Sequence, residues 1–381
     1  MAEVVIVEAV RSPVGKRGGG LSGVHPADLS AQVLNALVQR VGVDPGLVED
    51  VIWGCVTQVG EQAIDIARTA ALTAGWPDTV PGVTVDRQCG SSQQAVHFAA
   101  AGVVAGQYDV VVAGGVESMS RVAMGAATTI SGSPYSEEFL KRYLVSPHQG
   151  LGAEMMAEHW KLDRTAVDEY SLGSHDKAAA AQDSGAFDEQ IVAIKDAEGN
   201  VALEDEGVRR GTTIEKMGTL KPVFKEDGVI HAGNSSQISD GSAALLFMSA
   251  EYAKSLGLTP LARVHTAVLA GADPVMMLSA PIPATQKALK KSGLTLEDIG
   301  VFEVNEAFAP IPLAWLAEIG ADEKKVNPNG GAIALGHPLG GSGARIMTTM
   351  LYHMRDKGIR YGLQTMCEGG GQSNATILEL L

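Results

Sequence analysis

The chain carries one spacing twice. Asp50, in Glu49-Asp50-Val51-Ile52-Trp53, stands thirty-nine positions before Cys89, and Asp298, in Glu297-Asp298-Ile299-Gly300-Val301-Phe302, stands thirty-nine positions before His337. A repeat of this kind predicts two similar halves. Packed back to back, they bring positions 89 and 337 to one cleft. The texture of each half is β/α. Val4–Ala9, Val51-Ile52-Trp53 and Asp109–Ala113 read as strands, and Pro26–Val41, Glu61–Ala74 and Ala95–Val104 as helices. That alternation predicts a parallel or mixed sheet with helices on its faces. From Val116 to about Ser235 the character changes to polar loops and charge clusters (Glu204-Asp205-Glu206, Arg209-Arg210). Helical patterns fall at Ala153–Trp160 and Arg164–Asp183, and strand texture resumes at Ala243–Met248. This middle reads as a lobe inserted between the halves.

Composition narrows the function. A net charge of −15 argues against nucleic acid or an anionic membrane as the main partner. Forty-five glycines with 5% aromatics fit tightly packed layers. The three cysteines, at 55, 89 and 367, are odd in number and lack C-x-x-C spacing, so neither a disulfide framework nor a zinc site is expected. No secretory leader precedes Val4-Val5-Ile6-Val7, and no apolar run nears the ~20 residues of a membrane span. A soluble protein of the reducing cytoplasm is expected.

Cys89 falls where a short strand, Val80–Val85, hands over to a buried helix. A helix N-terminus stabilises an anion, so a thiolate near neutral pH is one reading; a small buried hydrophobe is the other. His337 lies in Asn327–Gly343, a glycine-dense stretch in which it is the one titratable side chain. It is a candidate base for a thiol or a brace for the loop. The same stretch has Ser342 where a phosphate loop needs lysine, and no G-x-S-x-G elbow occurs in the chain. Cys367 precedes Gly369-Gly370-Gly371, whose N–H groups can donate to an oxyanion. Asn305, after a strand, can hold a water or cap a helix. Cys55 reads as structural.

Taken together, these segments resemble the thiolase family. Asn327–Gly343 fits its GHP motif and Asn305-Glu306-Ala307-Phe308 its NEAF motif. Gly114–Ser120 and Pro281-Ile282-Pro283-Ala284 match as well, so the resemblance spans nearly the whole chain. It implies two βαβαβαββ halves in α-β-α-β-α layers with an inserted loop domain. The expected divisions are 1–117 with 236–258, a loop domain over 118–235, and 259–381. It implies Cys89 as acyl-carrying nucleophile, His337 as its base, Cys367 as acid/base at the α-carbon, and Asn305 as holder of an oxyanion-hole water. The N–H groups of Cys89 and Gly369 resemble a second oxyanion hole. Coenzyme A is implied as co-substrate beside a 3-ketoacyl-CoA, with no metal or redox cofactor. Lys221 is implied near its nucleotide, Thr266 near its pantetheine, and His148 near the acyl end. A homodimer or homotetramer is implied.

The sequence departs from the family pattern at Asp86, Gln93, Gln94, Ala280, Glu368 and Ser373-Asn374. These polar changes put the acyl pocket in question and resemble thiolases of bulky-substrate catabolism. The expected activity is degradative thiolysis. The alternatives are a biosynthetic acetoacetyl-CoA thiolase and a non-catalytic acyl-CoA- or lipid-binding relative. A ketoacyl synthase is disfavoured by Cys367 at the base position.

Overall fold

The computed structural model describes residues 3–130 and 132–381. The first half runs β1 (Val4–Arg11), a two-residue β2 (Gly15–Lys16), α1 (Pro26–Val41), β3 (Val51–Gly54), α2 (Ile66–Thr73), β4 (Gly82–Val85), α3 (Ser91–Ala105) and β5 (Val110–Ser118). A lobe follows with α4 (Glu137–Tyr143), α5 (Gln149–His159), α6 (Arg164–Asp183), the small ladder β6 (Ile194–Lys195) and β7 (Val201–Ala202), and α7 (Ile214–Gly218). β8 (Ser239–Ser249) and α8 (Ala250–Ser255) return the chain to the first half. The second half is β9 (Ala262–Gly271), α9 (Pro281–Ser292), β10 (Val301–Val304), α10 (Pro310–Ile319), α11 (Ala332–Leu335), α12 (Ser342–Lys357), β11 (Tyr361–Glu368) and β12 (Gln372–Leu380).

Apart from the β6–β7 ladder, the strands form one sheet in the order β10-β11-β12-β9-β1-β8-β5-β3-β4, with β2 paired to β8. Its two parts meet only where Val5 and Ile6 of β1 face Arg263 and Ala262 of β9. Helices α3 and α12 pack between these parts, α1 and α2 cover one outer face, and α9 and α10 the other. This is the expected layering. β5 and β8 are buried along their whole length, which is why their sequences are continuously apolar or small rather than alternating. α3 is likewise buried nearly all round, as a helix between two sheets must be.

Two expectations need correction. The helix read from Glu61 begins only at Ile66, because Ile64 and Asp65 hold φ of 53° and 51° and break the helical path. The halves are also unequal. β1-α1-β3-α2-β4-α3-β5-β8 is matched by β9-α9-β10-α10, then α12-β11-β12. The counterpart of β4 has shrunk to a single bridge between Phe302 and Val326.

The halves touch through glycine. A Cβ on Gly340 would lie 2.6 Å from Cys55 Cα and 2.7 Å from the Val116 carbonyl oxygen, closer than any side chain allows. Glu117 ties the same seam. Its carboxylate accepts from the N–H groups of Val56 (2.9 Å), Thr57 (3.0 Å) and Gly340 (2.9 Å), and from the Gln62 amide (2.9 Å).

Candidate active site

β4 ends at Val85, and a turn delivers Cys89 just ahead of α3. Gln88 holds φ of 50°, and its N–H donates to Asp86 Oδ1 at 2.7 Å. Asp86 therefore acts as a turn-forming side chain. Cys89 is buried in a cluster with Met119, Leu339, Ile346 and Met366. Leu339 follows His337 and Met366 precedes Cys367, so segments far apart in sequence converge on one sulfur.

His337 stands in the loop before α12, the structural counterpart of Cys89 before α3. Its N–H donates to Ser239 Oγ (3.1 Å), and its Nδ1 lies 2.6 Å from Ser342 Oγ. Ser342 Oγ is 2.8 Å from the Pro338 carbonyl, which can only accept. The serine hydrogen thus goes to Pro338, its lone pair accepts Nδ1–H, and Nε2 is left bare. The Asn305 amide agrees with this tautomer: its Nδ2 stands 3.5 Å from His337 Nε2 and donates toward it. The same Nδ2 donates to Cys367 Sγ at 3.6 Å, so one amide bridges the histidine and the second cysteine. Asn305 does not cap a helix, since α10 starts five residues later. Its neighbour Glu306 is structural, accepting from Tyr170 (2.9 Å), Ser174 (2.7 Å) and Asn327 (2.9 Å).

Burial lowers the His337 pKa to about 3, and the nearby Arg345 guanidinium adds to this, so the ring is neutral at pH 7. Burial pushes the Cys89 thiol well above its ordinary value, with Cys367 and Glu368 adding to the shift. Burial thus favours the thiol over the thiolate reading in the free protein. Cys89 lies ahead of the first turn and is fully covered, and desolvation, the largest cause, outweighs the helix terminus. Burial likewise raises Cys367 to about 11, with the Asn305 amide opposing the shift. The free protein therefore holds a thiol, a neutral imidazole with an open Nε2, and a second thiol. That set can move a proton from sulfur to nitrogen when a substrate arrives. Gly369 lies against Gln88, the residue before Cys89: a Cβ there would be 2.8 Å from Gln88 Oε1.

A cleft of about 530 Å³ is lined by Lys16, Arg17, Arg209, Ser236 and Ile238, among others. Glu206 lines it too, and Ile238 also packs against the Cys89 cluster, so three cations and one carboxylate stand in a cleft that borders the cluster. Sequence reading missed this cleft. Lys16 and Arg17 lay in a glycine-rich loop and Arg209 in a charge cluster, and only the fold joins them. Among the described residues no group of three His, Cys, Asp or Glu side chains is placed to hold a metal ion, and no helix is long and apolar enough to cross a membrane.

Comparison with known proteins decides the family. The family profile for the thiolase N-terminal domain matches residues 4–251, and that for the thiolase C-terminal domain matches residues 258–380. The chain belongs to the thiolase family. It is 50% identical to a steroid 3-ketoacyl-CoA thiolase, FadA6, of Mycobacterium tuberculosis, covering 100% of this chain and 95% of that one. It is 44% identical to a 3-ketoacyl-CoA thiolase of Aeromonas hydrophila, with both chains covered in full. The crystal structure of the Bacillus anthracis acetyl-CoA acetyltransferase superposes with a TM-score of 0.93 at 42% identity, covering 100% of this chain and 99% of that one. This thiolase is accordingly an acyltransferase.

Other expected site residues fall less close. Thr266 stands on β9 four residues from Ala270, which faces Ser373 in the rung of Cys367, so it is roughly 13 Å along the strand from that rung. Its hydroxyl meets His265 Nδ1 (2.9 Å) in a different groove, lined by His97, Lys287 and Lys291. Lys221 is exposed and does not line the basic cleft. His148 caps α5, accepting from the Leu151 N–H at 3.4 Å, and its ring lies 5.5 Å from Phe224, which is 6.0 Å from Phe308. That aromatic chain links it to the Asn305 segment. Gln93 is buried at an interface. Its amide donates to Thr376 (2.7 Å) and accepts from Gln364 (3.0 Å), between α3 and the second half of the sheet. Gln94 lines the Thr266 groove rather than the Cys89 cluster.

Proposed function

We propose that this thiolase works in the degradative direction, cleaving a 3-ketoacyl-CoA with coenzyme A to give acetyl-CoA and a shortened acyl-CoA. The observation that carries the roles is the Asn305 amide held between His337 Nε2 and Cys367 Sγ. His337 Nε2 takes the Cys89 proton as sulfur attacks the 3-keto carbon. The C2–C3 bond breaks, the acyl group stays on Cys89 as a thioester, and the electron pair leaves on the enolate of acetyl-CoA. Cys367 protonates that carbanion. His337 returns its proton to the Cys367 sulfur. Coenzyme A then gives its thiol proton to His337, attacks the thioester carbonyl, and expels the Cys89 sulfur, which takes that proton back from His337. The Asn305 amide holds a water for one oxyanion, and the Cys89 and Gly369 N–H groups receive the other.

Lys16, Arg17 and Arg209 suit the coenzyme phosphates, beside the expected places of Lys221 near the nucleotide and Thr266 near the pantetheine. The likeness to steroid and fatty 3-ketoacyl-CoA thiolases supports a long or bulky acyl group. The protein is read as a homo-oligomer of the cytoplasm. β4 is a free sheet edge with Val83 44% exposed, a surface suited to a second copy, and all three cysteines are free.

A thiolysis panel tests the reading: acetoacetyl-CoA, medium- and long-chain 3-ketoacyl-CoA and a bulky-ring 3-ketoacyl-CoA, with mass detection of the Cys89 adduct. Higher kcat/KM on the larger substrates is expected. Preference for acetoacetyl-CoA would favour the biosynthetic enzyme, and no turnover or adduct a binding protein. Cys89→Ala is expected to abolish the adduct.

A further inference from the structure

One acidic group beside the two cysteines has no part in this scheme. Glu368 follows Cys367 at the end of β11, where strand alternation turns its side chain to the other face, toward the start of α3. It is fully buried within one chain, so no second subunit reaches it. Neither carboxyl oxygen has a hydrogen-bond partner among the described residues. A Cβ on Gly90 would lie 2.0 Å from Glu368 Oε1, so the carboxyl rests on the backbone one residue after Cys89.

Its surroundings offer an anion little. Arg87 is the cation acting on it, through charge and not a hydrogen bond: its Nη1 donates to Gln372 Oε1 at 2.9 Å and its Nε has no partner among the described residues, and the Asn374 backbone N–H also favours the ionised form, but burial outweighs both. The neighbouring Asn374 amide donates to the Gly90 carbonyl at 3.0 Å. The remaining titratable groups nearby are Cys89, Cys367 and Glu117, with Asp86 in the exposed turn before Cys89. A buried, unpaired carboxylate is far costlier than the neutral acid.

We propose that Glu368 is a positioning residue, a neutral carboxylic acid in the working enzyme whose neutrality lets negative charge form on the Cys89 and Cys367 sulfurs. Burial raises its carboxyl to about 8, with Arg87 opposing, which agrees with this state. Glu368 exchanges no proton during turnover. Once ionised it repels both thiolates, and kcat/KM falls as the pH rises through its titration. The inference rests on the thiolytic roles of the two cysteines.

The test uses the full-length protein as purified. Thiolysis kcat/KM and the rate of Cys89 alkylation by iodoacetamide, read by mass, are measured across the alkaline range for wild type, Glu368→Gln and Glu368→Met. The ratio of variant to wild-type rate is expected to rise about tenfold from acid to alkaline pH in both assays, the factor for a one-unit change in thiol ionisation. Parallel profiles in all three proteins would overturn the proposal. If both variants fail to fold, the infrared carboxylic-acid band of Glu303→Gln, which lacks the other carboxyl raised to about 8, decides. A buried acid band that disappears across the alkaline limb supports it, and its absence at neutral pH overturns it. Alkylation reports on Glu368 whether or not the protein turns over. Turnover that survives Cys89→Ala would instead defeat the assignment of the nucleophile.

Discussion

Ser342→Ala isolates how the histidine is aimed. In the wild type the Ser342 hydroxyl donates to Pro338 and accepts the Nδ1–H of His337 at 2.6 Å, which leaves Nε2 as the open base. Alanine leaves a buried ring N–H without an acceptor, at about 1–3 kcal/mol. The ring can avoid this only by moving its proton to Nε2, where it meets the donating Asn305 amide at 3.5 Å. Either outcome lowers the share of competent base. At 1.36 kcal/mol per decade the expected loss in kcat/KM is about 5- to 150-fold. His337 serves both half-reactions, so acylation of Cys89 and thiolysis of the acyl-enzyme slow together. Rapid-quench mass detection of the Cys89 adduct follows the first, and release from preformed acyl-enzyme the second. A variant within twofold of wild type in both steps would refute the claim that Ser342 sets the tautomer.

Cys367→Ala is expected to accept an acyl group on Cys89 yet fail to exchange the α-proton of acetyl-CoA for deuterium; normal exchange would remove Cys367 from that step. Glu117→Ala strands three backbone N–H groups and the Gln62 amide, with an expected loss of about 3–5 kcal/mol in urea unfolding; a loss under about 1 kcal/mol would contradict the seam. Burial raises Glu303 and Glu368 to about 8, so between the unfolded carboxyl range and pH 8 the folded state binds more protons than the unfolded one. Stability therefore falls as pH rises from about 6.5 through 8, and Tm measured over that interval is expected to drop in the wild type and less in Glu303→Gln. Below about 6.5 the buried neutral His97 and His337, both lowered to about 3, act with the opposite sign, because the unfolded chain takes up their protons first.

The thirty-nine-residue spacing and the β/α alternation carried most of the architecture, because buried strands and the α3 helix write their environment directly as apolar runs. The approach of His337, Asn305 and Cys367, with Cys89 beside them, was legible in part for the same reason: each lies at or next to a strand end or a helix start, and Cys89 and His337 stand in equivalent places of the two halves. The basic cleft was not, since Lys16, Arg17 and Arg209 come from two loops whose approach depends on the lobe. Gln93 misled because a polar residue in an apolar helix looks like a pocket feature. Here it meets Gln364 and Thr376 across a packed interface, a partnership no local pattern encodes. The ionisation of Cys89 stayed open in the sequence because helix position is visible there, whereas full burial is not.

The place of β1 has a consequence for biosynthesis. Both its sheet neighbours, β8 and β9, lie downstream, and even its shortest register, Arg11 with Ala243, spans 232 positions. At ~5–20 residues per second, a ribosome leaves Val4-Val5-Ile6-Val7 unpaired for on the order of ten seconds or longer. A β-branched, uncharged segment waiting that long is an aggregation hazard. The first strand is therefore exposed until β8 emerges, and refolding from denaturant is expected to be slow and sensitive to protein concentration.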